Sequence, residues 1–145
     1  MLMIRHTGIY VKDLERMKDF YCRHFDMEVA VHDTEKGAYI EKILGVQGIR
    51  VDLYKLIRRD GTMLELLKPN IEDNCEAYAE SMTYNGCLHI AFTVDDLRSL
   101  YEEMRTEGVE FISEPTISPN KKACVCFCRD PEGNYLELVQ ELGGK

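Results

Sequence analysis

Two carboxylates lie in the middle of apolar stretches of this sequence. Glu65 is the fifth residue of GTMLELL, residues 61–67, and Glu137 is the fifth residue of GNYLELV, residues 133–139. Burying an unpaired carboxylate in an apolar strand is strongly unfavourable, so each glutamate needs water, an opposite charge or a metal ion. The partner of these two side chains is therefore central to function.

Two histidines occupy matching positions in the chain. His6 begins HTGIYVKDL and His89 begins HIAFTVDDL, and the two segments correspond residue by residue at an offset of 83. Side chains on a strand alternate between faces, so each histidine shares a face with every second residue of its strand. If the two copies pack together, their polar faces converge on one central cavity.

Two imidazoles and two carboxylates form a donor set that suits one divalent metal ion. Imidazole nitrogen with carboxylate oxygen favours zinc, nickel, cobalt, manganese or ferrous iron, and two coordination positions remain for water or substrate. We therefore predict metal ligands at His6, Glu65, His89 and Glu137. The alternative is that duplication left these side chains in an empty groove, where both glutamates are solvated.

The elements that carry these residues are also duplicated. Asp13 and Asp96 stand where a helix N-cap belongs, and an amphipathic helix follows each one. Strands are predicted after the helices, near residues 27–32 and 109–112, and a hairpin closes each copy. Both halves therefore predict a βαβββ order.

The first copy is longer than the second. Glu65 follows His6 by 59 residues and Glu137 follows His89 by 48, so the first copy holds eleven extra residues. We place them within GAYIEKILGVQG, residues 37–48, as a candidate lid or pocket wall.

The repeat predicts an α+β fold in which two tandem βαβββ modules form a curved mixed sheet around a central cavity. A single domain is expected over residues 1–145, with module one at 1–68, a linker at 69–86 and module two at 87–145. The linker is predicted to contain a helical stretch over residues 72–81.

Composition excludes several classes of partner. The formal net charge is −8, and no basic cluster is larger than Arg58-Arg59 or Lys121-Lys122, so neither nucleic acid nor a membrane is expected as a partner. The chain contains no stretch of eighteen apolar residues and no leader pattern, which predicts a soluble, cytoplasmic protein.

Cysteines and the remaining histidines are assigned to packing and surface. No two of the six cysteines have C-x-x-C spacing, and those in CVCFC, residues 124–128, alternate like side chains on one strand face, so we expect reduced thiols in the core. His24 and His32 have no counterpart in the other copy and are excluded from the site. Four residues are candidates for lining a pocket: Tyr10, Thr93, Phe127 and Tyr135.

Three sequence motifs resemble one known superfamily. They are the V-x-D-L-x-R pattern with Phe-Tyr over residues 11–21, LHIAFTVDDL at residues 88–97, and DPEGNYLELVQ at residues 130–140. With them the chain resembles the vicinal oxygen chelate superfamily, which includes glyoxalase I, methylmalonyl-CoA epimerase, extradiol dioxygenases and bleomycin resistance proteins. The resemblance implies paired βαβββ modules around one metal, with the ligands carried over onto the four residues named above.

The ligand set His, Glu, His, Glu is most similar to that of bacterial glyoxalase I. This resemblance implies a lyase or isomerase in which two substrate oxygens chelate the metal while Glu137 or Glu65 moves a carbon-bound proton of a small 2-oxo compound or its thiol adduct. It also implies a homodimer, and the site could be formed by one chain or across the dimer. The alternatives are a metal-free small-molecule binding protein, an epimerase and an oxygen-dependent dioxygenase.

Overall fold

The computed structural model describes residues 4–71 and 87–143 and divides the chain into two compact units, Met1–Glu76 and Ala77–Lys145. Each unit contains one four-stranded mixed sheet, and the described residues contain three helices. The predicted α+β class with tandem βαβββ modules is confirmed. The predicted linker helix over residues 72–81 lies outside the described residues.

Module one follows the predicted order, with one added helix. Its elements in chain order are β1 (Thr7–Tyr10), α1 (Leu14–His24), β2 (Glu28–Lys36), α2 (Ala38–Leu44), β3 (Arg50–Ile57) and β4 (Met63–Pro69). The sheet order is β1-β4-β3-β2, in which β1 and β4 are parallel and the other pairs antiparallel. The extra residues of this copy therefore contain a short helix, α2.

Module two repeats the same topology without a counterpart of α2 among its described residues. Its elements are β5 (His89–Thr93), α3 (Leu97–Thr106), β6 (Thr116–Ile117), β7 (Ala123–Arg129) and β8 (Tyr135–Glu141). The sheet order β5-β8-β7-β6 matches that of module one, again with a parallel pair formed by its first and last strands. The closing strand of each module therefore lies beside the first strand.

The strand expected at residues 109–112 is reduced to a single bridge, between Phe111 and Cys128. Strand pairing resumes only at β6, which has two residues. Pro115 lies between the two points, and proline has no backbone N–H to donate to a ladder. The strand prediction was thus wrong in position.

Helix starts follow the predicted caps. The Asp13 carboxylate accepts a hydrogen bond from Arg16 N at 3.1 Å, and the Asp96 carboxylate accepts one from Ser99 N at 3.1 Å. A side-chain acceptor at this position satisfies one of the unpaired N–H groups of the first turn. The same cap begins α1 and α3.

One face of each sheet packs against its long helix. In module one this face presents Leu64 and Leu66, both at most 2% exposed, to the buried stripe of α1, namely Leu14, Met17, Phe20 and Tyr21. In module two it presents Leu136 and Leu138, both at 0% exposure, on the same face as the three buried cysteines Cys124, Cys126 and Cys128. Alternation then places the intervening residues of the closing strands on the opposite face.

No helix of the described ranges has the length and apolar character that crossing a membrane requires.

Candidate metal centre

Glu65 and Glu137 lie on the sheet face that the long helices leave uncovered. Both alternate with fully buried leucines and are themselves partly exposed, with 13% and 24% of the side chain accessible. In the parallel pairs, Gly8 lies opposite Glu65 and Ala91 lies opposite Glu137. The register is therefore the same in the two modules.

This register brings each predicted histidine to the glutamate of its own module. His6 Nε2 lies 3.2 Å from Glu65 Oε2, and His89 Nε2 lies 3.2 Å from Glu137 Oε2. Each histidine precedes by two residues the position opposite its glutamate, so both side chains point from the same face. Two equivalent His–Glu pairs result.

The turns between the closing strands hold these glutamates in register. Gly61 and Gly133 adopt positive φ angles of 86° and 89°, a conformation that glycine adopts without steric strain. In module two the buried Asp130 carboxylate accepts hydrogen bonds from Glu132 N at 3.0 Å and Asn134 N at 2.9 Å. A tight turn of fixed length sets which residues of the two strands face each other.

Each pair has the chemistry and spacing of two adjacent ligands of a divalent metal ion. Two donors at about 2.1 Å from an ion, with an angle between right and tetrahedral, lie roughly 3.0–3.4 Å apart. The observed nitrogen–oxygen separation of 3.2 Å falls within this interval. His6 Nδ1 is buried without a hydrogen-bond partner in the described structure, so Nε2 is the nitrogen available to an ion. The residues present therefore fit such a metal ion.

The structure joins the predicted ligands within each pair. No group of three or more His, Cys, Asp or Glu side chains suited to hold a metal is found across residues 4–71 and 87–143. The joining of both pairs at one ion stays a prediction.

Module one adds a cation to its pair. Lys55 of β3 lies opposite Glu65 of β4, and its Nζ is 3.3 Å from Glu65 Oε1. In module two the position opposite Glu137 is Phe127, whose ring meets that of His89 edge-on at a centroid distance of 5.5 Å. Sequence reasoning missed Lys55, although its place in the alternating pattern of RVDLYKLI could have indicated it.

Helix α2 packs on the same face as the His6–Glu65 pair. Its Ile40 is 4% exposed and forms a cluster with Ile49 and Val51, against which Leu44 and Leu67 pack. Val51 lies on the same face of β3 as Lys55, and Leu67 lies on the same face of β4 as Glu65. The cluster therefore covers one end of the site face of module one. The segment predicted as a pocket wall thus stands beside the candidate site.

Other predicted residues fall into two groups. Tyr10 is 59% exposed on β1, and Thr93 is also exposed on β5, whereas Tyr135 is 7% exposed and accepts a hydrogen bond from Arg129 at 3.0 Å. The two excluded histidines contact aromatic rings: His24 meets Phe20 at an interplanar angle of 60°, and His32 stacks on Tyr54. Neither is fully solvated, and neither belongs to a His–Glu pair.

The five cysteines within residues 4–71 and 87–143 form no disulfide and belong to no cluster suited to hold a metal ion. Cys22, Cys87, Cys124, Cys126 and Cys128 are all free thiols. Burial raises the pKa of Cys126 to about 11 and that of Cys128 to about 12, so both remain protonated at neutral pH. The strand β7 thiols therefore behave as small apolar side chains, as predicted.

Module one also contains a cavity of about 530 Å³ that includes neither Glu65 nor His6. It lies near the end of α1 and the β3–β4 turn and is lined by Cys22, Asp26, Met27, Glu28, Arg58, Arg59 and Asp60. The cavity lining contains no histidine, whereas each His–Glu pair combines an imidazole with a carboxylate. The two His–Glu pairs are therefore the candidate metal ligands.

Together, the fold and the site define a paired βαβββ protein with one His–Glu pair on the open face of each sheet. The profile of the Glyoxalase/Bleomycin resistance protein/Dioxygenase superfamily matches residues 3–138, and the chain belongs to that superfamily.

The amino-acid sequence is similar to those of proteins named as glyoxalase I or lactoylglutathione lyase. The chain is 29% identical to the lactoylglutathione lyase of Pseudomonas aeruginosa over 147 residues, covering 95% of this chain and 82% of that protein. It is 26% identical to glyoxalase I of Saccharomyces cerevisiae over 150 residues, covering 95% of this chain but only 44% of the yeast protein. The chain thus spans less than half of that relative.

Solved structures agree with the fold. A glyoxalase family protein from Bacillus cereus superposes with a TM-score of 0.82 at 22% identity, covering 99% of this chain and 96% of that one. The trypanothione-dependent glyoxalase I of Leishmania major gives a TM-score of 0.64 at 26% identity, covering 97% of this chain and 88% of that one.

Proposed function

We propose that this protein is a metal-dependent lyase or isomerase of the glyoxalase I type, acting on a small 2-oxo compound or its thiol adduct. The observation that carries the proposal is the repeated His–Glu pair, with the same 3.2 Å separation in both modules. Membership of the superfamily and the lactoylglutathione lyase relatives support it.

In this proposal His6, Glu65, His89 and Glu137 hold one divalent ion, which could be nickel, zinc, cobalt, manganese or ferrous iron. When bound, the ion supplies positive charge that stabilises the oxyanion formed as a carbon-bound proton leaves the substrate. His6 and His89 hold the ion, while a glutamate accepts the proton and returns it to the neighbouring carbon. In the same rearrangement the proton of the substrate hydroxyl passes to the neighbouring carbonyl oxygen, so all protons are accounted for and no oxidant or reductant is required.

The partly open site face supports this chemistry. Glu65 and Glu137 are 13% and 24% exposed, so each is shielded from bulk water yet still accessible to a small molecule. Shielding strengthens electrostatic interactions with a developing charge. Leu67 of β4 shares the face of Glu65 and packs against the cluster that includes Ile40 of α2, so it provides an apolar neighbour for the substrate.

The decisive experiment combines metal analysis with turnover. We expect the purified protein to bind one divalent ion for each set of the four proposed ligands and to convert the glutathione hemithioacetal of methylglyoxal. Both properties should be lost in His89→Ala and in Glu137→Gln. His32→Ala is the matched control, because His32 stacks on Tyr54, which lies on the face of the module one sheet opposite Glu65. Absence of metal binding after incubation with nickel and zinc salts would refute the metal-dependent reaction.

A metal-free binding protein is the second candidate, and the Lys55 contact favours it. The ammonium 3.3 Å from Glu65 already provides an opposite charge for this carboxylate. This alternative predicts tight binding of a small ligand that neither a chelator nor Glu137→Ala changes.

A further inference from the structure

The cavity of about 530 Å³ in module one is lined by side chains of both charges. Arg58 and Arg59 belong to the β3–β4 turn, whereas Asp26 follows α1 and Glu28 begins β2. In the part of the chain that the structure describes, none of these side chains takes part in a hydrogen bond or an ion pair. Cations and anions therefore face one cavity without neutralising each other.

The β3–β4 turn does not require its two arginine side chains. It is closed by Gly61, whose φ is 86°, and by a hydrogen bond of 2.8 Å from Thr62 N to the Asp60 carboxylate. In the β7–β8 turn, which has the same length, Asp130 and Pro131 take the two positions. Turn formation therefore does not account for the two guanidinium groups.

Asp26 stands at a backbone position where module two has a glycine. Its φ of 49° is left-handed, and Gly108 takes the matching place after α3 with a φ of 88°. A side chain in this conformation costs free energy that glycine avoids. The carboxylate is thus kept at the cavity at a cost in stability, as residues of binding sites often are.

The rest of the lining adds no free charge. Met27 is 4% exposed, Cys22 is a partly buried free thiol, and the Asp60 carboxylate is engaged in the turn. Burial raises the pKa of Cys22, so this thiol is uncharged at neutral pH. The cavity thus combines two cations, two available anions and an apolar surface.

This combination selects the class of ligand. A simple anion would be attracted by the arginines but repelled by the two carboxylates, and a simple cation would meet the reverse. A zwitterion satisfies both sets, because a carboxylate accepts paired hydrogen bonds from a guanidinium group and an ammonium group donates to a carboxylate. The volume of the cavity also lies within the range of small-molecule sites, about 300–1,000 Å³.

We propose that this cavity binds a small zwitterion, namely an α-amino acid with an apolar side chain or a dipeptide that ends in one. The ligand carboxylate binds Arg58 and Arg59, its ammonium group binds Asp26 and Glu28, and its apolar side chain contacts Met27. Neither His–Glu pair lines the cavity, so the site is distinct from the candidate metal centre and does not depend on the function proposed above.

Calorimetric titration of the full chain with L-leucine and with L-alanyl-L-leucine tests the site. We expect saturable binding of at least one of these zwitterions. Two matched probes each lack one charge of leucine: 4-methylpentanoate has no ammonium group, and 3-methylbutylamine has no carboxylate. Each should bind about tenfold more weakly than the zwitterion, or weaker still, because one set of charged groups is left without a partner.

Substitutions locate the binding. Arg58→Gln, Arg59→Gln and Glu28→Gln should each weaken the binding of the zwitterion by about fivefold or more, because each removes one charged contact. Asp26→Asn should have the same effect, and asparagine tolerates a positive φ. Arg98→Gln is the control, because it removes an exposed positive charge of α3 that does not line the cavity, and it should leave the affinity unchanged.

Cys22 provides a readout that needs no substitution. A bound ligand should slow the alkylation of this thiol by iodoacetamide by about twofold or more, measured by mass spectrometry of the peptide that contains it. Alkylation of Cys87, which is also partly exposed but does not line the cavity, should not change.

Three results would overturn the proposal. They are no saturable binding of either zwitterion up to about 50 mM, binding of 4-methylpentanoate as tight as that of leucine, and affinities that are unchanged in all four cavity variants. If circular dichroism shows that one variant does not fold, the other variants and the protection of Cys22 decide. These measurements involve no metal ion and no turnover, so their failure is distinct from a failure of the proposed function.

Discussion

His6 Nε2 lies 3.2 Å from Glu65 Oε2, although the two residues belong to opposite ends of module one in the chain. The contact exists because β1 and β4 are parallel neighbours, with Gly8 opposite Glu65. A Cβ atom at Gly8 would stand 3.3 Å from Leu67 Cδ1, so the strand pair is close at this point. The pair thus depends on strand order and register, and module two reproduces both.

Asp130→Ala tests how the β7–β8 turn holds Glu137. The buried carboxylate accepts hydrogen bonds from two backbone N–H groups and from Asn134 Nδ2 at 2.8 Å, and alanine leaves these donors unsatisfied. We expect a loss of about 2–3 kcal/mol in the free energy of unfolding, measured by urea denaturation. Asp60→Ala is the control in the corresponding exposed turn, where a loss below about 1 kcal/mol is expected. Equal losses in the two variants would contradict this account.

Asp26→Gly should stabilise module one. Asp26 has a φ of 49°, in the left-handed region, directly after the end of α1, whereas glycine occupies the corresponding position after α3 as Gly108, with φ 88°. Glycine adopts this conformation without the steric penalty of a side chain, so we expect a gain of about 0.5–1 kcal/mol in unfolding free energy. Gly108→Asp is the reciprocal variant and should lose a similar amount. A destabilised Asp26→Gly would show that the Asp26 side chain contributes more than its backbone strain removes.

Glu15 should make the anchoring of α1 dependent on pH. Hydrogen bonds from Lys18 at 2.8 Å and from the Tyr54 hydroxyl at 2.7 Å lower the pKa of this carboxyl below its ordinary value. A lowered folded-state pKa contributes stability above the unfolded-state pKa, and this stability is lost as pH falls through the folded-state pKa. Glu15→Gln should therefore be less stable than the wild type at pH 7, and the difference should shrink steadily in thermal unfolding experiments below about pH 4.

The control for this pH effect is Tyr54→Phe, which removes one of the two hydrogen bonds that the Glu15 carboxylate accepts. The stability difference between Glu15→Gln and its parent should therefore be smaller in the Tyr54→Phe background than in the wild-type background at pH 7. A Glu15→Gln difference that is constant from pH 7 to pH 3 would argue against the hydrogen-bonded carboxylate as its source.

Ile40→Ala tests whether α2 depends on its packing against the site face. Ile40 is 4% exposed within the cluster of Ile49 and Val51, so truncation should cost about 2–4 kcal/mol. Ile43, which is 55% exposed on the same helix, provides the control, and Ile43→Ala should change stability by less than about 0.5 kcal/mol. Urea denaturation compares both variants. Indistinguishable stabilities would mean that α2 is not held by this cluster.

Much of the fold followed from local patterns. Alternating apolar residues indicated strands, and apolar stripes after Asp13 and Asp96 indicated helices, because side-chain direction repeats with periods set by backbone geometry. The strand near Phe111 was misplaced because its residues satisfy a strand pattern, but only one bridge forms there. Pairing of that kind depends on the neighbouring strand and not on local propensity.

The sequence by itself determined the duplication and the α+β class. It also showed that two histidines and two glutamates occupy equivalent positions of the two modules, namely His6, Glu65, His89 and Glu137. Tertiary structure alone decided that each histidine meets its glutamate and that Lys55 faces Glu65 while Phe127 faces Glu137. It also decided that the cluster around Ile40 of α2 covers one end of the site face in module one. The reason is physical. Periodicity fixes which face a side chain occupies, but strand order and turn geometry fix its neighbours across the sheet.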